Sequence, residues 1–518
     1  MSLPQSLSPA RLEQLARRLV TSPRARVHVP LAAFTGEPLP GYPLSTADDV
    51  DLAFRTARAA QAAWQRRSMT DRARHLLRLH DVVIDRRDEV MDVVQLETGK
   101  ARIHAFEEVV DIALNARYYA RTAGRTLRPR RRAGFVPVLT VTREQRHPKG
   151  VVGIIAPWNF PVVLSLCDAI PALAAGNAVV LKPDLQTTYS ALLSAELLSR
   201  AGIPEGLFQV VAGSGPELGP EVVDRADYVS FTGSTATGRT VAQRAAGRLV
   251  GSSLELGGKN ASIVMADADL TRAVEGTVHG AFSSAGQLCV SAERLYVADE
   301  VYDDFVSRLV RRVEGMPMTA EFAFTAEMGS LISQAQLERV AAHVDDAVAR
   351  GARVLTGGRA LPELGPYFYA PTLLEGVRPD MAVCDQETFG PVVSVYRFTT
   401  VREAVRLAND SPYGLNASIW SRDLAAAGRM ARGIHAGTVN VNEGYAATWG
   451  SIDAPMGGMK DSGLDRRHGA AGLLKYTEPQ TVATALFTNY AAPPFIPHEQ
   501  YTRGTVAWLK AMKALGRR

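Results

Sequence analysis

Residues 150–182 read GVVGIIAPWNFPVVLSLCDAIPALAAGNAVVLK, and this stretch decides the fold class. From residue 150 to residue 181 only Asp168 carries a charge. A membrane-spanning helix needs about 20 unbroken apolar residues, whereas Pro157, Asn159, Pro161 and Pro171 divide this stretch into short pieces. We therefore predict a buried strand, a helix and a second buried strand, not a membrane span.

The same alternation of short apolar runs and helical patterns continues towards the C-terminus. It is typical of parallel sheets that are covered by helices on both faces and bind ligands at the carboxyl ends of their strands. The first α/β region has predicted strands at 151–156, 178–182, 208–211, 228–232 and 253–256, with helices at 188–201 and 235–249. The second has predicted helices at 270–284, 302–313 and 334–350, and strands at 294–297, 393–398, 417–420 and 438–441.

The segment before residue 130 is predicted to be helical. One helix starts at Ser8-Pro9, and another covers 46–66, with Thr46 and Asp49 in capping-box spacing. Two more are expected from residue 70 towards Gly99 and over 103–120. Two extended segments, 135–143 and 481–487, are far apart in sequence but alike in character, so they could pair in a small outlying sheet.

Length and composition are those of a globular chain with two or three domains. It has 518 residues, 46% hydrophobic and 21% charged, with a net charge of +5. Its cysteines, Cys167, Cys289 and Cys384, are too few and too far apart for a disulfide framework or a zinc site. We expect a reducing cytoplasm, no metal and no signal peptide, because the N-terminus has no apolar run.

The positive charge is partly local and allows two interpretations. A basic patch can bind nucleic acid, but no zinc-finger spacing or RNA-binding signature accompanies these clusters. We therefore interpret them as solvated surface or subunit contact and predict no nucleic-acid partner. The residues are Arg121, Arg125, Arg128, Arg130, Arg131 and Arg132, and near the C-terminus Arg503, Lys510, Lys513, Arg517 and Arg518.

Taken singly, the residues that could take part in catalysis or cofactor binding are weak evidence for such a role. A lone cysteine such as Cys289 is more often a buried packing residue than a nucleophile. Glu255, between two leucines, could be a paired structural carboxylate. The turn from Gly213 to Gly219 is a poor dinucleotide fingerprint because its spacing is wrong.

Taken together, seven motifs are specific. They are Pro157-Trp158-Asn159-Phe160-Pro161, Leu181-Lys182-Pro183, Phe231-Thr232-Gly233-Ser234, Leu254-Glu255-Leu256-Gly257-Gly258-Lys259, Gly286-Gln287-Leu288-Cys289, Glu387-Thr388-Phe389-Gly390-Pro391 and Pro455-Met456-Gly457-Gly458-Met459-Lys460-Asp461-Ser462-Gly463. In order and spacing, over about residues 30–487, these motifs resemble the aldehyde dehydrogenase superfamily, and within it most closely the succinate-semialdehyde dehydrogenases (NADP+) of an actinobacterial subgroup.

The resemblance implies catalytic roles. Cys289 matches the nucleophile, whose thiolate attacks the aldehyde; a lowered pKa would supply more of that form. Asn159 matches the side-chain donor of the oxyanion hole, together with the Cys289 backbone N–H. Glu255 matches the general base that hydrolyses the thioester, and its presence indicates a free acid as product, not an acyl-coenzyme A.

The resemblance also implies a nicotinamide cofactor. Lys182 would bind the adenine ribose, Ser234 the pyrophosphate at a helix N-terminus, and Glu387 the nicotinamide ribose. NAD-preferring relatives carry a glutamate where this chain has Leu185, so we predict NADP, with NAD also accepted. The assigned cofactor contacts are Trp158, Lys182, Asp184, Leu185, Gly213, Gly233, Ser234, Leu256, Glu387 and Phe389.

The implied substrate is a small-molecule aldehyde, with succinate semialdehyde named by the closest resemblance. Two arginines that hold its carboxylate in relatives are replaced here by Cys167 and Ser283. A broad-specificity or fatty or aromatic aldehyde dehydrogenase is therefore the alternative. A catalytically silent structural relative is an alternative of another class, and a cysteine hydrolase is disfavoured because none of the matched motifs contains a histidine. The implied tunnel residues are Phe160, Leu164, Cys167, Ser283, Leu288, Trp449 and Met456.

The implied fold is α/β, with a Rossmann-like cofactor domain, an α/β catalytic domain and a small oligomerisation sheet. The expected boundaries are 1–130 and 148–257 for the cofactor domain, to which 441–474 returns, and 258–440 for the catalytic domain. Residues 131–147 and 475–490 would form the sheet that makes homodimers or homotetramers. The basic amphipathic tail, 491–518, could touch a membrane surface or the tunnel mouth, or be a packed or frayed helix.

Overall fold

The computed structural model describes residues 4–23, 25–134, 140–486, 492 and 494–516. The chain forms two compact units, each described here by itself. The first unit comprises Met1–Leu127 and Pro148–Glu478, and the second comprises Arg128–His147 and Pro479–Arg518.

A six-stranded sheet organises the first half of the first unit. Its strands are parallel apart from the short edge strand Gly463–Leu464, which runs antiparallel to Ser252–Glu255. All five strands predicted from the apolar runs are present, with ends that differ by at most one residue. In spatial order the strands are Gly463–Leu464, Ser252–Glu255, Tyr228–Thr232, Val151–Ile155, Ala178–Lys182 and Phe208–Val210.

Helices surround this sheet, and side chains cap several of them as the sequence predicts. Thr46 and Asp49 form the expected capping box at the start of Ala47–Trp64. The single helix expected from residue 70 to Gly99 is instead two, because the backbone leaves helical geometry at Arg86. The helices of this half are Pro9–Ala16, Ala47–Trp64, Met69–Asp85, Arg87–Thr98, Arg102–Leu127, Pro161–Leu166, Ala169–Ala175, Thr188–Arg200, Gly215–Arg225, Thr235–Gly247 and Gly469–Leu474.

A seven-stranded sheet organises the second half of the same unit. Its strands are parallel except at the edge, where Arg353–Thr356 runs antiparallel to Thr372–Glu375. These two strands and Asn260–Val264 were not predicted. In spatial order the strands are Arg353–Thr356, Thr372–Glu375, Val392–Phe398, Ala292–Ala298, Asn260–Val264, Asn416–Trp420 and Thr438–Val441.

Apolar side chains cover both faces of the seven-stranded sheet and form two separate cores. This is the arrangement that parallel sheets require. Two two-stranded ribbons complete the unit, Val27–His28 with Tyr42–Pro43 and Tyr413–Gly414 with Met459–Lys460. The helices of this half are Leu270–Phe282, Tyr302–Glu314, Gln334–Ala349, Ala382–Asp385, Val401–Asn409, Leu424–Ala431 and Ala446–Trp449.

The second unit is built on a three-stranded sheet. The strand Thr140–Pro148 lies between Arg130–Arg132 and Thr477–Ala485, so the two extended segments do neighbour each other as predicted. Residues 135–139, 487–491, 493, 517 and 518 of the predicted segments lie outside the described residues. The tail forms the helix His498–Ala514, which buries none of its described residues. No helix in the described part of the chain is long and apolar enough to cross a membrane.

Candidate active site

The carboxyl edge of the six-stranded sheet gathers most of the predicted site residues. Glu255 and Lys182 are the last residues of their strands, and Ser234 follows the strand Tyr228–Thr232 by two positions. Asn159 follows the neighbouring strand Val151–Ile155. Because parallel strands have their carboxyl ends at a common edge, motifs that are far apart in the sequence come together on one surface of the fold.

Cys289 lies on a turn just before the strand Ala292–Ala298, and its main chain is held in place. Asn260 Nδ2 donates hydrogen bonds to the carbonyl oxygens of Cys289 and Ser291, both at 2.8 Å. A Cβ at Gly258 would lie only 2.6 Å from the Cys289 carbonyl oxygen, so this position requires glycine. The backbone that presents the thiol is therefore fixed from two sides.

Asn159 is packed against the same turn. Its Nδ2 donates to the Gln287 carbonyl oxygen at 3.0 Å, two residues before Cys289, and its own carbonyl accepts from Lys100 Nζ at 2.6 Å. Lys100 is in turn paired with Glu108 at 2.8 Å in the interior. An amide NH₂ carries two hydrogens, so the second one can serve a ligand oxygen beside the Cys289 turn.

Glu255 is a buried carboxylate with a nearly neutral pKa. Only 5% of its surface is exposed, and burial raises its pKa to about 7, although Arg467 and Lys475 act in the opposite direction. A carboxyl group with this pKa can accept and release a proton near neutral pH, which suits a general base.

Cys289 has a raised pKa, whereas a lowered one would supply more of the nucleophilic thiolate. Burial is the main cause, and the nearby carboxylates of Glu255 and Glu387 add to it, giving about 12. The thiol is therefore protonated at neutral pH in this structure. Its proton has to be taken by a base as the sulfur attacks, and Glu255 is close enough to influence the thiol electrostatically.

The residues predicted to hold a dinucleotide are chemically suited to it. Ser234 caps the helix Thr235–Gly247, whose N-terminus favours an anion such as pyrophosphate. Lys182 is 4% exposed and its Nζ donates to the Pro183 carbonyl at 3.0 Å, with no carboxylate within 4.0 Å among the described residues. A buried ammonium with donors to spare fits ribose hydroxyls or phosphate oxygens.

Glu387 and Phe389 are positioned by buried charges behind them. Glu387 accepts a hydrogen bond from Gly258 N at 2.7 Å, and burial raises its pKa to about 7. Glu293 accepts from the Phe389 backbone N–H at 2.9 Å, and Phe389 has a left-handed φ of 55°. The Phe389 ring stands edge-on to Trp158, with ring centroids 5.4 Å apart, so two of the predicted cofactor residues are in contact.

The remaining predicted cofactor residues have structural contacts of their own. Leu185 begins a short 3-10 turn that Asp184 caps, because Asp184 Oδ1 accepts from Gln186 N at 2.9 Å. Gly213 packs against a leucine side chain, which a Cβ there would overlap, and buried Leu256 packs likewise against Gly238. Their cofactor roles stay predictions. The described residues also contain no cluster of His, Cys, Asp and Glu suited to a metal ion.

A cavity of about 270 Å³ adjoins Phe160 and Leu288, the neighbours of Asn159 and Cys289. Of the seven predicted tunnel residues, Phe160, Leu288 and Trp449 line it, whereas the other four are buried but do not line it. No lysine or arginine occurs among the described residues of its wall. The wall consists of Phe106, Glu107, Val110, Asp111, Leu114, Phe160, Val163, Leu288, Tyr445, Ala446, Trp449 and Gly450.

Sequence reasoning missed the contribution of the helix Arg102–Leu127 to this wall. Glu107, Val110, Asp111 and Leu114 recur at the i, i+3, i+4, i+7 spacing that places residues on one helix face. Two carboxylates on an otherwise apolar face were the signal that could have been noticed. Asp111 is 3% exposed, and burial raises its pKa to about 7.

Comparison with known proteins agrees with this geometry. Residues 21–482 match the sequence profile described as the aldehyde dehydrogenase family. A protein of Mycolicibacterium smegmatis named "Putative succinate-semialdehyde dehydrogenase (NADP+)" is 49% identical, over 99% of each chain.

Solved structures agree as well. The chain resembles succinate-semialdehyde dehydrogenase from Burkholderia pseudomallei, with a TM-score of 0.85 and 35% identity over 89% of this chain and 95% of that one. It is also similar to betaine aldehyde dehydrogenase from Staphylococcus aureus in complex with NAD+, with a TM-score of 0.87 and 30% identity over 92% and 97%.

Proposed function

Because this chain belongs to the aldehyde dehydrogenase family, we propose that it oxidises an aldehyde to a free carboxylic acid through a covalent intermediate on Cys289. The observation that carries the proposal is the convergence of Asn159, Glu255 and Glu387 on the Cys289 turn. A silent structural relative would have no need of a base with a nearly neutral pKa beside a cysteine.

The first step is attack of Cys289 Sγ on the aldehyde carbon. The thiol proton passes to a base, for which Glu255 has a suitable pKa, and the carbonyl oxygen becomes an oxyanion. Asn159 Nδ2 and the Cys289 backbone N–H donate to that oxygen. Loss of one such donor typically costs about 3–4 kcal/mol of transition-state stabilisation.

The second step releases the acid. A nicotinamide bound there would supply the hydride acceptor needed to convert the thiohemiacetal, the Cys289 adduct formed in the first step, into a thioester. Glu255 first releases the thiol proton to solvent. It then takes a proton from water as the water oxygen attacks the thioester carbon, and it passes that proton to the Cys289 sulfur as the C–S bond breaks. The products are the carboxylic acid and the regenerated Cys289 thiol.

We propose that the cofactor is NADP, with NAD also accepted, held by Lys182, Ser234, Glu387 and the other residues assigned above. Leu185 provides no carboxylate to repel a 2′-phosphate, and Asp184 is engaged in capping its own turn. The relative's name also specifies NADP+. The test is kcat/KM with each cofactor for the wild type and for Leu185→Glu, which should move preference towards NAD. A strong wild-type preference for NAD would contradict the proposal.

Succinate semialdehyde is the proposed substrate. The support is the name shared by the 49% identical relative and the similar Burkholderia structure. The test is a comparison of kcat/KM for succinate semialdehyde, nonanal and benzaldehyde, following the absorbance of the reduced cofactor. We expect the highest value for succinate semialdehyde.

The cavity wall gives a reason to keep a second candidate. It is mostly apolar, and its charged residues are the acids Glu107 and Asp111, so an apolar aldehyde would meet no penalty there. A higher kcat/KM for nonanal or benzaldehyde in the same panel would identify a broad-specificity or fatty or aromatic aldehyde dehydrogenase instead.

The proposed domain roles follow the two large sheets. The six-stranded sheet would carry the cofactor, the seven-stranded sheet would support the Cys289 turn, and the three-stranded sheet would join copies of the chain. We propose that the enzyme works in the cytoplasm, where its three free cysteines stay reduced.

A further inference from the structure

A buried ionic cluster adjoins Glu255, and the steps above do not use it. Arg467 Nε and Nη2 donate to Asp168 Oδ2 at 3.1 and 2.7 Å, and Lys475 Nζ donates to Asp168 Oδ1 at 3.1 Å. The Tyr476 hydroxyl also donates to Oδ1, at 2.7 Å. All four residues are at least nine-tenths buried. With two cations and one anion, the cluster carries one positive charge in excess.

Both cations of this cluster contact the immediate neighbours of Glu255. Arg467 donates a hydrogen bond to Thr232 Oγ1, and Thr232 is paired with Glu255 across the parallel strands. Lys475 Nζ donates to Ser253 Oγ at 3.2 Å, and Ser253 is two residues before Glu255, on the same face of its strand. The excess charge therefore lies next to the Glu255 side chain.

The main chain that carries Arg467 is also fixed against Glu255. The backbones of Arg467 and Met456 exchange two hydrogen bonds, of 2.9 and 2.6 Å. Gly457 comes next, and a Cβ there would lie 2.9 Å from Glu255 Oε1. The Arg467 segment thus has no freedom to move away from the carboxylate without breaking this pairing.

We propose that Arg467 is a positioning residue for Glu255, supplying the counter-charge that keeps this buried carboxylate ionised and able to act as a base. The inference rests on the catalytic role of Glu255 proposed above. A carboxylate buried without compensation takes up a proton, because burial penalises the charged form. Asp168 and Thr232 hold the guanidinium, and no ion pair within 4.0 Å joins Arg467 to Glu255 in the described structure. The carboxylate oxygens are therefore left for water.

The charges around Glu255 predict that its pKa shifts in opposite directions when Arg467 or Asp168 is neutralised. Burial raises the pKa of Glu255, Arg467 lowers it most among the charged groups, followed by Lys475 and Arg466, and Asp168 raises it. The Cys289 thiol faces Glu255 as well. Removing the Arg467 charge should therefore raise the pKa of Glu255, whereas removing the Asp168 charge should lower it.

The experiment measures the pH dependence of acyl-enzyme hydrolysis with p-nitrophenyl acetate, an activated ester that acylates Cys289 without a nicotinamide. Plotted against pH, the steady-state rate after the p-nitrophenol burst should rise on the acid side as Glu255 loses its proton. We call this rise the acid limb, and its midpoint reports the pKa of Glu255. In Arg467→Met we expect this limb to move up by one pH unit or more, which lowers the rate about tenfold on the acid side. In Asp168→Asn it should move down, and Arg467→Lys should restore most of the wild-type position.

Arg466→Met is the matched control, because Arg466 is less buried and has a smaller influence on Glu255. Its limb should move less than that of Arg467→Met. If Arg467→Met does not fold, Arg467→Gln replaces it as a neutral variant of similar size and polarity. A limb at the wild-type pH in the neutral variant, or equal shifts in the two arginine variants, would overturn the proposal.

The role of Glu255 is tested separately by Glu255→Gln. If that variant keeps the wild-type limb, the limb does not belong to Glu255 and the proposed function loses its base. If Glu255→Gln abolishes the limb while the neutral Arg467 variant leaves it unmoved, the base assignment stands and only the inference about Arg467 fails.

Discussion

Glu255 is buried and Cys289 is half-buried, and their removal from water favours the neutral form of each. The pKa of the thiol is raised to about 12 and that of the carboxyl to about 7. At neutral pH the thiol is protonated while the carboxyl is partly ionised. The thiol can therefore donate a proton that the Glu255 carboxylate can accept, a relation between two pKa values that the sequence motifs do not show.

Glu255→Gln should slow both chemical steps. The amide cannot accept a proton, so attack by the Cys289 thiol and hydrolysis of the thioester should each slow at least a hundredfold. Stopped-flow absorbance should show no rapid burst of reduced cofactor, and steady-state turnover should be slow. Cys289→Ala should show no turnover. Wild-type turnover in Cys289→Ala would exclude the mechanism.

Asp111 predicts a pH-dependent substrate preference. Its pKa of about 7 means that the cavity wall gains a negative charge as the pH rises from 6 to 8. The ratio of kcat/KM for succinate semialdehyde to that for butanal should therefore fall over this range, by about fivefold, because like charges repel. In Asp111→Asn the ratio should be independent of pH. A ratio in the wild type that stays constant or rises would contradict this role for Asp111.

At the scale of elements, the parallel strands were predictable and the edges were not. Strands such as Ala178–Lys182 are buried on both faces, so their apolar runs are unbroken and bounded by turn residues. Arg353–Thr356 is an edge strand with partly exposed side chains and lacks such a run.

The helix break at Arg86 has no proline or glycine to signal it. The face of the helix Arg102–Leu127 that lines the cavity was missed because Glu107 and Asp111 are residue types expected on a solvent-exposed helix face.

The ion pair between Lys100 and Glu108 connects the helix Arg102–Leu127 to Asn159, the proposed oxyanion donor. Lys100→Met should leave Glu108 buried and unpaired and cost about 3–5 kcal/mol of folding free energy. It should also lower kcat, because the Asn159 carbonyl loses its donor. Denaturant unfolding and steady-state kinetics measure the two effects.

The double variant Lys100→Met with Glu108→Gln is the control for this prediction. A glutamine oxygen can still accept from the Val162 and Val163 N–H groups, so most of the stability should return. The loss of kcat should remain. Full recovery of kcat in the double variant would mean that Lys100 does not position Asn159.

At the scale of the whole molecule, we expect the chain to form homodimers or homotetramers, which a single measurement of molecular mass can test. The three-stranded sheet of the second unit offers the exposed strand Arg130–Arg132 at one edge, and unpaired edges of this kind are sites of association. Light scattering should give a mass of two or four times 55.8 kDa. A monomer at micromolar concentration would contradict assembly through this sheet. The pairing of its two segments, more than 300 residues apart, was predicted from their similar residue pattern, whereas the role in assembly was implied only by the resemblance.

The protonated state of Cys289 also bears on how long the enzyme survives under oxidative stress. Peroxides attack thiolates, not thiols, so a cysteine with a pKa of about 12 is a slow target. Inactivation of the resting protein by hydrogen peroxide should be slow at pH 7 and accelerate only in strongly alkaline solution, as measured by loss of titratable thiol. Rapid inactivation at pH 7 would contradict a protonated resting thiol. The burial that delays catalysis until a base and substrate are present thus protects the nucleophile from irreversible sulfur oxidation between turnovers.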